Sequence, residues 1–432
     1  MSFGMRPKRR TVLGAGTALM AGLALTGLVR PGTARADTSV RWFISETNPA
    51  QTAWQREMAK AYEAAHPGTR IDIQVMGGEA YKAKLTTMLQ SAERPHLIYT
   101  WGGGVMYAQV AAGFLQDISQ QMQGAWGDSF SPAALDAMTW KGRAYGAPIQ
   151  FSEVVLWYNK ALLAKANVDP ASLGTWDGLV AAIGTLKAAG ITPLAAGGAD
   201  KWPLNMFWEC LALRVGGRQA FMDAMNRTGP GFDGPDFLRA SQMFKQLIDL
   251  DPFQKGMLAD TAPQAAGKFG DGKAAMQVMG NWMYSVQKAQ STSKGVPDAD
   301  LAWAPFPQVP GGKGGPDDAV GGINGFLVTR GAPPEAVEFL KHYTSAPVQT
   351  EAARRGFFIP AVRGAGTELQ NPFFREMAAS LGKAGYVQNF YDQMLGPATG
   401  RVVNDTSAGQ AAGQTTPQQV GEQIQEAWDL ER

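Results

Sequence analysis

The chain of 432 residues carries 39 basic and 37 acidic side chains, one cysteine and three histidines. A single thiol, Cys210, excludes an internal disulfide, and the scattered His66, His96 and His342 exclude a Cys/His metal cluster. Six of the bases and none of the acids lie before Asp37, so 33 bases face 37 acids from there on. That net of −4 leaves no electrostatic footprint for nucleic acid.

Lys8-Arg9-Arg10-Thr11-Val12-Leu13 is a basic stretch with a twin arginine. Gly14 to Val29 is apolar and uncharged, and Thr33-Ala34-Arg35-Ala36 ends in a small-x-small site. This order predicts a cleaved twin-arginine signal peptide over residues 1–36. No cysteine stands beside the cleavage site to take a lipid anchor, so the expected product is exported, extracellular or associated with the cell envelope. The 396 residues that remain exceed one ordinary hydrophobic core, and two domains are expected.

Val40 to Ser45 reads as a first strand, followed by the polar loop Glu46-Thr47-Asn48-Pro49. Trp54, Met58, Tyr62 and Ala65 fall at helical spacing, and Pro67-Gly68 ends that helix. Ile71, Ile73 and Val75 alternate with Asp72 and Gln74 as a second strand, broken by Gly77-Gly78. Tyr81, Leu85 and Leu89 mark a second helical face. His96 to Thr100 is a third strand, ending on Trp101 and Gly102-Gly103-Gly104, and Val105 to Ala112 is a short helix. Strand and helix alternate as in a layered, largely parallel α/β lobe.

Trp140 to Pro148 predicts a hairpin on a Lys-Gly turn, with a crossing between domains near Pro148. Beyond it the helices lengthen: Thr175 caps one through Ala188, and Leu204–Val215 and Phe237–Leu250 are others. Ile191–Ala196 and Ala274–Met279 read as strands, and Leu301–Phe306 as another crossing. Pro310 to Pro316 is glycine-rich enough to predict a mobile loop. Thr416-Pro417-Gln418-Gln419 is a capping box opening a last helix striped by Val420, Ile424 and Trp428. The boundaries that follow are 37–147 plus about 305–345 for one lobe, and 148–304 plus about 346–432 for the other.

Catalytic patterns are missing: there is no Gly-x-Ser-x-Gly, His-Glu-x-x-His, Walker loop or ordered Gly-x-Gly-x-x-Gly. No catalytic, metal or cofactor residues are assigned. Glu46, Glu153 and Asp392 are the carboxylates from which a glycosidase pair could be drawn. Trp101, Trp202 and Trp282 each stand beside glycine or proline at a predicted strand end, whereas Trp54 and Trp428 sit inside periodic runs. A strand–helix turn with a core Trp explains one such residue; three of them point to a lined cleft. Indole faces suit the C–H faces of sugar rings, and Gly102 and Gly103 would let backbone N–H groups approach a ligand.

Together these residues resemble a family. Tyr99-Thr100-Trp101-Gly102-Gly103-Gly104, Tyr145-Gly146-Ala147-Pro148 with Leu156-Trp157-Tyr158-Asn159-Lys160, and Ala275-Met276 with Met279-Gly280-Asn281-Trp282 carry the resemblance. So do Gly356-Phe357-Phe358-Ile359-Pro360 and the tail Tyr391-Asp392-Gln393, Gly396-Pro397, Val403-Asn404-Asp405 and Ala412-Gly413. The order of these motifs is similar to that of bacterial family 1 extracellular solute-binding proteins, the carbohydrate receptors of ABC importers, and the tail to xylobiose- and raffinose-type receptors. The resemblance implies a two-lobe periplasmic-binding-protein-like α/β fold, a multi-crossing hinge and an interlobe ligand cleft. It implies a monomer without cofactor that passes an oligosaccharide to an importer permease, peripheral to the membrane. It places Glu46, Asn48, Trp101, Trp202, Trp282, Asn324 and Asp392 at the cleft, and Gly102, Gly103 and Phe151 are expected there beside them. The rival readings are a secreted glycoside hydrolase and a receptor for another solute such as glycerol phosphate.

Overall fold

The structure, a computed structural model, describes residues 38–46 and 48–431. The expected signal peptide lies outside the described residues. Among them, β1 (Thr38–Glu46), β2 (Thr69–Gly77) and β3 (Leu97–Thr100) alternate with α1 (Pro49–Ala65), α2 (Gly78–Gln90) and α3 (Gly103–Ala111). The strands β1, β2 and β3 pair in parallel, as the alternation predicts. Successive side chains of a strand point to opposite faces. Val40, Trp42 and Ile44 therefore join one core with Trp54, Met58 and Tyr62 of α1. Phe43 and Ile98 join another with Tyr81, Leu85 and Leu89 of α2. A sheet covered on both faces needs runs such as Trp42-Phe43-Ile44 rather than strict alternation.

The hairpin β4 (Thr139–Trp140) and β5 (Arg143–Ala144) turns at Lys141 and Gly142, both at positive φ. It leads into β6 (Gly146–Asn159), the spine of the molecule. Ala147 and Ile149 lie in the first lobe's core and Val154 to Trp157 in the larger core of the second. On that second half β6 pairs with β7 (Met276–Gly280) and β8 (Leu301–Ala304). Then β9 (Ala319–Val328) returns antiparallel to both β6 and β3, with Val320 in the second core and Phe326 and Val328 in the first. A third passage follows at β10 (Ile359–Pro360), paired with β6, and β11 (Val387–Gln388) adds to β9. One continuous sheet thus joins the two lobes by three passages of chain.

Several local expectations change. Leu301–Phe306 does not cross: Leu301 and Phe306 belong to the second core, because β8 extends the same end of β6 that β7 covers. Ile191–Ala196 forms no strand; Pro193 offers no N–H, and Leu194 alone bridges to Phe253 and Met276. The glycine-rich stretch 310–316 is fastened rather than free. Lys313 N donates to Val215 O at 3.0 Å and Gly314 N to Arg214 O at 3.1 Å, while Lys313 Nζ sits 2.7 Å from Asp236. The buried Arg214 guanidinium donates to the carbonyls of Phe306, Gly315 and Asp318. Its glycines are needed for closeness: a Cβ on Gly312 or Gly314 would fall 2.3 Å from a carbonyl oxygen of Arg214 or Leu213. The capping box at Thr416 and Gln419 forms as predicted, opening helix Pro417–Leu430. Cys210 is buried in helix Trp202–Asn226.

Candidate functional site

The strand ends of the first lobe face helix Trp202–Asn226 and the turn after β7 across one cleft. Trp101, Trp202 and Trp282 all line it, none of them sealed in a core. Trp101 follows β3 and is braced edge-on by Tyr99 at 5.1 Å and Tyr81 at 6.1 Å. Trp202 starts its helix directly after Lys201, a non-glycine residue held at φ +63°. Such a conformation costs an ordinary side chain of order 1 kcal/mol and needs support, here a 2.5 Å ion pair from Lys201 to Asp405. Trp282 lies 6.3 Å from Trp202 between ring centres and edge-on to Phe390. Its ring folds back over Gly280, where a Cβ would stand 2.0 Å from the indole. Gly280 is therefore a packing requirement of Trp282.

The polar wall comes from one helix face. Trp202, Asn205, Met206 and Glu209 stand at helical spacing and all line the cleft. Glu209 is 1% exposed and Asn205 2%. Glu209 Oε2 accepts from Tyr391 N at 3.0 Å and Asn205 Nδ2 at 3.3 Å. Burial and then the neighbouring Asp392 push the Glu209 carboxyl up to about 8, which favours its neutral form at neutral pH. With Oε2 accepting twice, Oε1 is the oxygen left to carry the proton. Glu209 Oε1, Asn205 Oδ1 and Asn324 Oδ1 are buried at the cleft with no protein partner among the described residues. Buried polar atoms are costly when unpaired, so three among the residues lining one cavity make it the candidate site for a polar ligand.

Asp392 stands at the mouth, 10% exposed, accepting from Asn404 Nδ2 at 3.1 Å and Gln393 Nε2 at 3.0 Å. Lys82 of α2 reaches across from the first lobe. Its ammonium lies 5.3 Å from the Trp101 ring, 6.0 Å from the Trp202 ring, 3.8 Å from Asp392 and 3.1 Å from Glu79. Asn324, on β9, lies opposite Gln150 of β6, whose Nε2 is 3.5 Å from the Tyr99 hydroxyl.

Five of the ten residues expected at the cleft meet there: Trp101, Trp202, Trp282, Asn324 and Asp392. Glu46 lies beside it, lining two adjoining cavities. Asn48 lines the smaller of those, but its Oδ1 accepts from Ala50 N at 3.0 Å and caps α1. Gly102 and Gly103 are not in the lining. A Cβ on Gly102 would sit 2.8 Å from Ala137 O, and one on Gly103 2.8 Å from Gln393 O, so these glycines admit other backbone rather than a ligand. Phe151 packs between the two cores instead of facing the cleft. Glu153 is also elsewhere. Its Oε1 accepts from Ser380 Oγ at 3.0 Å, burial lifts it to about 7, and it lines a small cavity with Arg214. The sequence reading missed Lys82, Asn205 and Glu209. The last two carried a signal, being polar residues on an otherwise apolar helix in phase with Trp202.

Past the Trp202–Trp282 pair the space continues into a second chamber, sharing Gly78, Glu79, Trp202 and Trp282 with the first. Among the described residues no group of His, Cys, Asp and Glu is placed to hold a metal, and no helix is long and apolar enough to cross a membrane.

This geometry, two α/β lobes on a shared sheet with a cleft between them, is that of a periplasmic-type binding protein. The profile of the bacterial extracellular solute-binding proteins matches residues 45–350, and the chain belongs to that family. It is similar to a solved chain from a study of xylan utilization by Caldanaerobius polysaccharolyticus, with TM-score 0.84, 26% identity, and 90% of this chain and 99% of that one covered. It shares its fold with a chitin oligosaccharide binding protein, with TM-score 0.82, 24% identity, and 92% and 99% covered. A "Probable sugar-binding periplasmic protein" of Mesorhizobium japonicum is 30% identical over 241 residues, 54% of this chain and 55% of that protein. An uncharacterized ABC transporter extracellular-binding protein of Pyrococcus horikoshii is 26% identical over 254 residues, 58% of this chain and 56% of that one. The chain thus spans less than two thirds of the length of these curated relatives.

Proposed function

We propose that the protein is an exported receptor for an oligosaccharide of xylobiose type or a related one, which it delivers to an ABC-importer permease. One observation carries this reading: indoles from both lobes line a single cleft whose floor holds three unpartnered buried oxygens. Sugar rings present an apolar face and a hydroxyl rim, and this cleft offers both complements. The sugar-binding names among its relatives, and the xylan context of a solved neighbour, support the class. Glu153 lies away from the cleft, which removes it from any hydrolytic pair there.

The mechanism is closure of the lobes about β6, β9 and the stretch around β10. A ligand favours the closed state only by touching both lobes at once, as Trp101 on one side and Trp202 with Glu209 on the other allow. The protein works as a monomer, needs no cofactor, and meets the membrane through the importer. Residues 1–36 direct export by the twin-arginine route; replacing Arg9 and Arg10 with Lys is expected to hold the precursor in the cytoplasm, and normal secretion would refute that route.

Indole fluorescence and calorimetry against xylo-, gluco- and galacto-oligosaccharides test the receptor. Saturable binding of one class, with the sugar recovered intact, is expected. Shorter products would establish a hydrolase, and silence across the panel with a phosphorylated solute binding instead would overturn the sugar.

A further inference from the structure

Beside Tyr99 a smaller, polar niche opens from the cleft and shares Ser45, Tyr99 and Gln150 with it. Its lining comes from the end of β1, from α1, β3, β6 and β9, and from helix Pro334–Tyr343. Ile44, Ile149 and Phe326 in that lining are each at most 3% exposed, so its apolar walls are continuous with the first lobe's core. Among these walls stand polar groups that the protein leaves unsatisfied. Gln55 is 2% exposed; its Nε2 donates to the Tyr343 hydroxyl at 3.0 Å, and its Oε1 has no partner among the described residues. Turning the amide over exchanges the two atoms and still leaves one of them free. Ser45 Oγ is likewise buried without a partner, and the Tyr343 hydroxyl, accepting from Gln55, keeps its own proton to give. Together they call for a small neutral group that both donates and accepts. One methylene carrying one hydroxyl meets both needs: the carbon lies against Ile149 and Phe326, and the oxygen meets Gln55, Ser45 and Tyr343. Glu46 is the one charged side chain in this lining among the described residues, and it disfavours a carboxylate or phosphate there. Tyr99 stands 5.1 Å from Trp101 between ring centres, which puts the niche beside a sugar ring stacked on that indole. A hydroxyl bonded directly to such a ring lacks the extra carbon and stays in the cleft.

We infer that this niche receives the exocyclic hydroxymethyl group of a hexopyranose, carried on the ring that stacks on Trp101. The inference rests on the sugar reading above and narrows it. A pentopyranose such as xylose has no group to place there and leaves the buried amide and hydroxyls to water. The ligand is therefore an oligosaccharide with a hexose at that ring, and Gln55, Ser45 and Tyr343 are the residues that tell the two sugar classes apart.

Calorimetry on the mature protein tests this with the xylo-, gluco- and galacto-oligosaccharides, including the pairs xylobiose and cellobiose, and xylotriose and cellotriose, which differ only in their hydroxymethyl groups. A hexose sugar is expected to bind about tenfold tighter than any xylo-sugar, the scale of one or two hydrogen bonds to buried partners. The hexose sugar that binds best is then compared with its 6-deoxy forms, one ring at a time, and one of these is expected to lose about tenfold. In Gln55→Leu, and in the milder Ser45→Ala, the ratio between parent and deoxy form is expected to shrink to within about threefold; binding of the deoxy form reports that the variant is folded. If a xylo-sugar binds as tightly as every hexose sugar, or if no deoxy form loses affinity, the niche holds water only and the inference falls while the sugar reading stands. A ratio that keeps its full size in both variants places the hydroxymethyl group elsewhere and also overturns the inference. If no saccharide binds, both readings fall together.

Discussion

The two lobes bury different chemistry. The polar groups in the first lobe's interior are neutral or nearly so: Gln55, Thr100 and a His96 that burial pushes down to about 4. The second lobe buries Glu153, Glu209 and Arg214. Its cleft wall holds two indoles, Asn205 and the carboxyls of Glu209 and Asp392, against one indole, Tyr99, Glu79 and a lysine from the first. Buried carboxyls destabilise a lobe unless something is gained from them. Under the closure proposed above, the asymmetry assigns the grip to the second lobe and the closing movement to the first.

The sharpest way to break that comparison is to remove one indole from each side. Trp202→Ala takes away a stacking face and the partition between the two chambers, and is expected to weaken sugar binding about a hundredfold. Trp101→Ala is expected to cost nearer tenfold, because it acts on the closed state alone. Equal losses in titration calorimetry would refute the division. Gly280→Ala sharpens it without deleting an aromatic. The new methyl would collide with the Trp282 ring at 2.0 Å, so the ring must swing away. About a tenfold loss of affinity is expected, with a change in the indole fluorescence of the free protein.

How much of this was legible in the chain follows from what each residue answers to. The first lobe was read nearly strand by strand because its elements obey local rules: Ile71, Ile73 and Val75 alternate with polar residues, and Trp54, Met58 and Tyr62 repeat at helical spacing. The three tryptophans could be picked out because chain breaks are also local. Lys82 could not, since its meaning lies in Trp202 and Asp392, which reach it only through the fold. Gly102 and Gly103 were misread for the same reason. Glycine announces a close approach, but not that the approaching group is Gln393 O rather than a ligand. The crossing placed at Leu301–Phe306 failed because an edge strand and a hinge strand look alike in sequence.

Glu209 supplies a prediction about pH. Its folded value of about 8 lies above the ordinary 4.5, and Glu153 is raised to about 7. The folded protein therefore holds these protons more tightly than the unfolded chain. Their contribution is fully present below about pH 4.5 and is lost as pH rises through 7 and then 8. Over that window each group lowers stability by at most about 1.4 kcal/mol per pH unit. Glu209→Gln keeps the shape of the neutral acid without its titration. Thermal unfolding is expected to show this variant gaining on the wild type as pH rises from about 5 to 9; a constant difference between the two would refute the buried, protonated carboxyl.

The smallest effect is expected at Lys82, and it bears on closure rather than grip. The ammonium touches its own lobe's Trp101 and Glu79 and the other lobe's Trp202 and Asp392. These contacts exist together only when the lobes are near each other, so under the closure proposed above Lys82 would favour the closed arrangement before any sugar arrives. A part-exposed ion pair and two cation–π contacts are each worth about 0.5–1 kcal/mol. That is enough to move a closed population severalfold and no more. Yet a ligand stacked on Trp101 must take the space the ammonium occupies, so part of this gain is surrendered on binding. Lys82→Met keeps the stem and removes the charge. Small-angle scattering of the free variant is expected to show a larger radius of gyration than the wild type. Sugar affinity should change by less than about threefold, because the lost preference for closure and the freed indole face oppose each other. A loss as large as that of Trp202→Ala would instead make the lysine a direct ligand contact, and would move part of the grip to the first lobe.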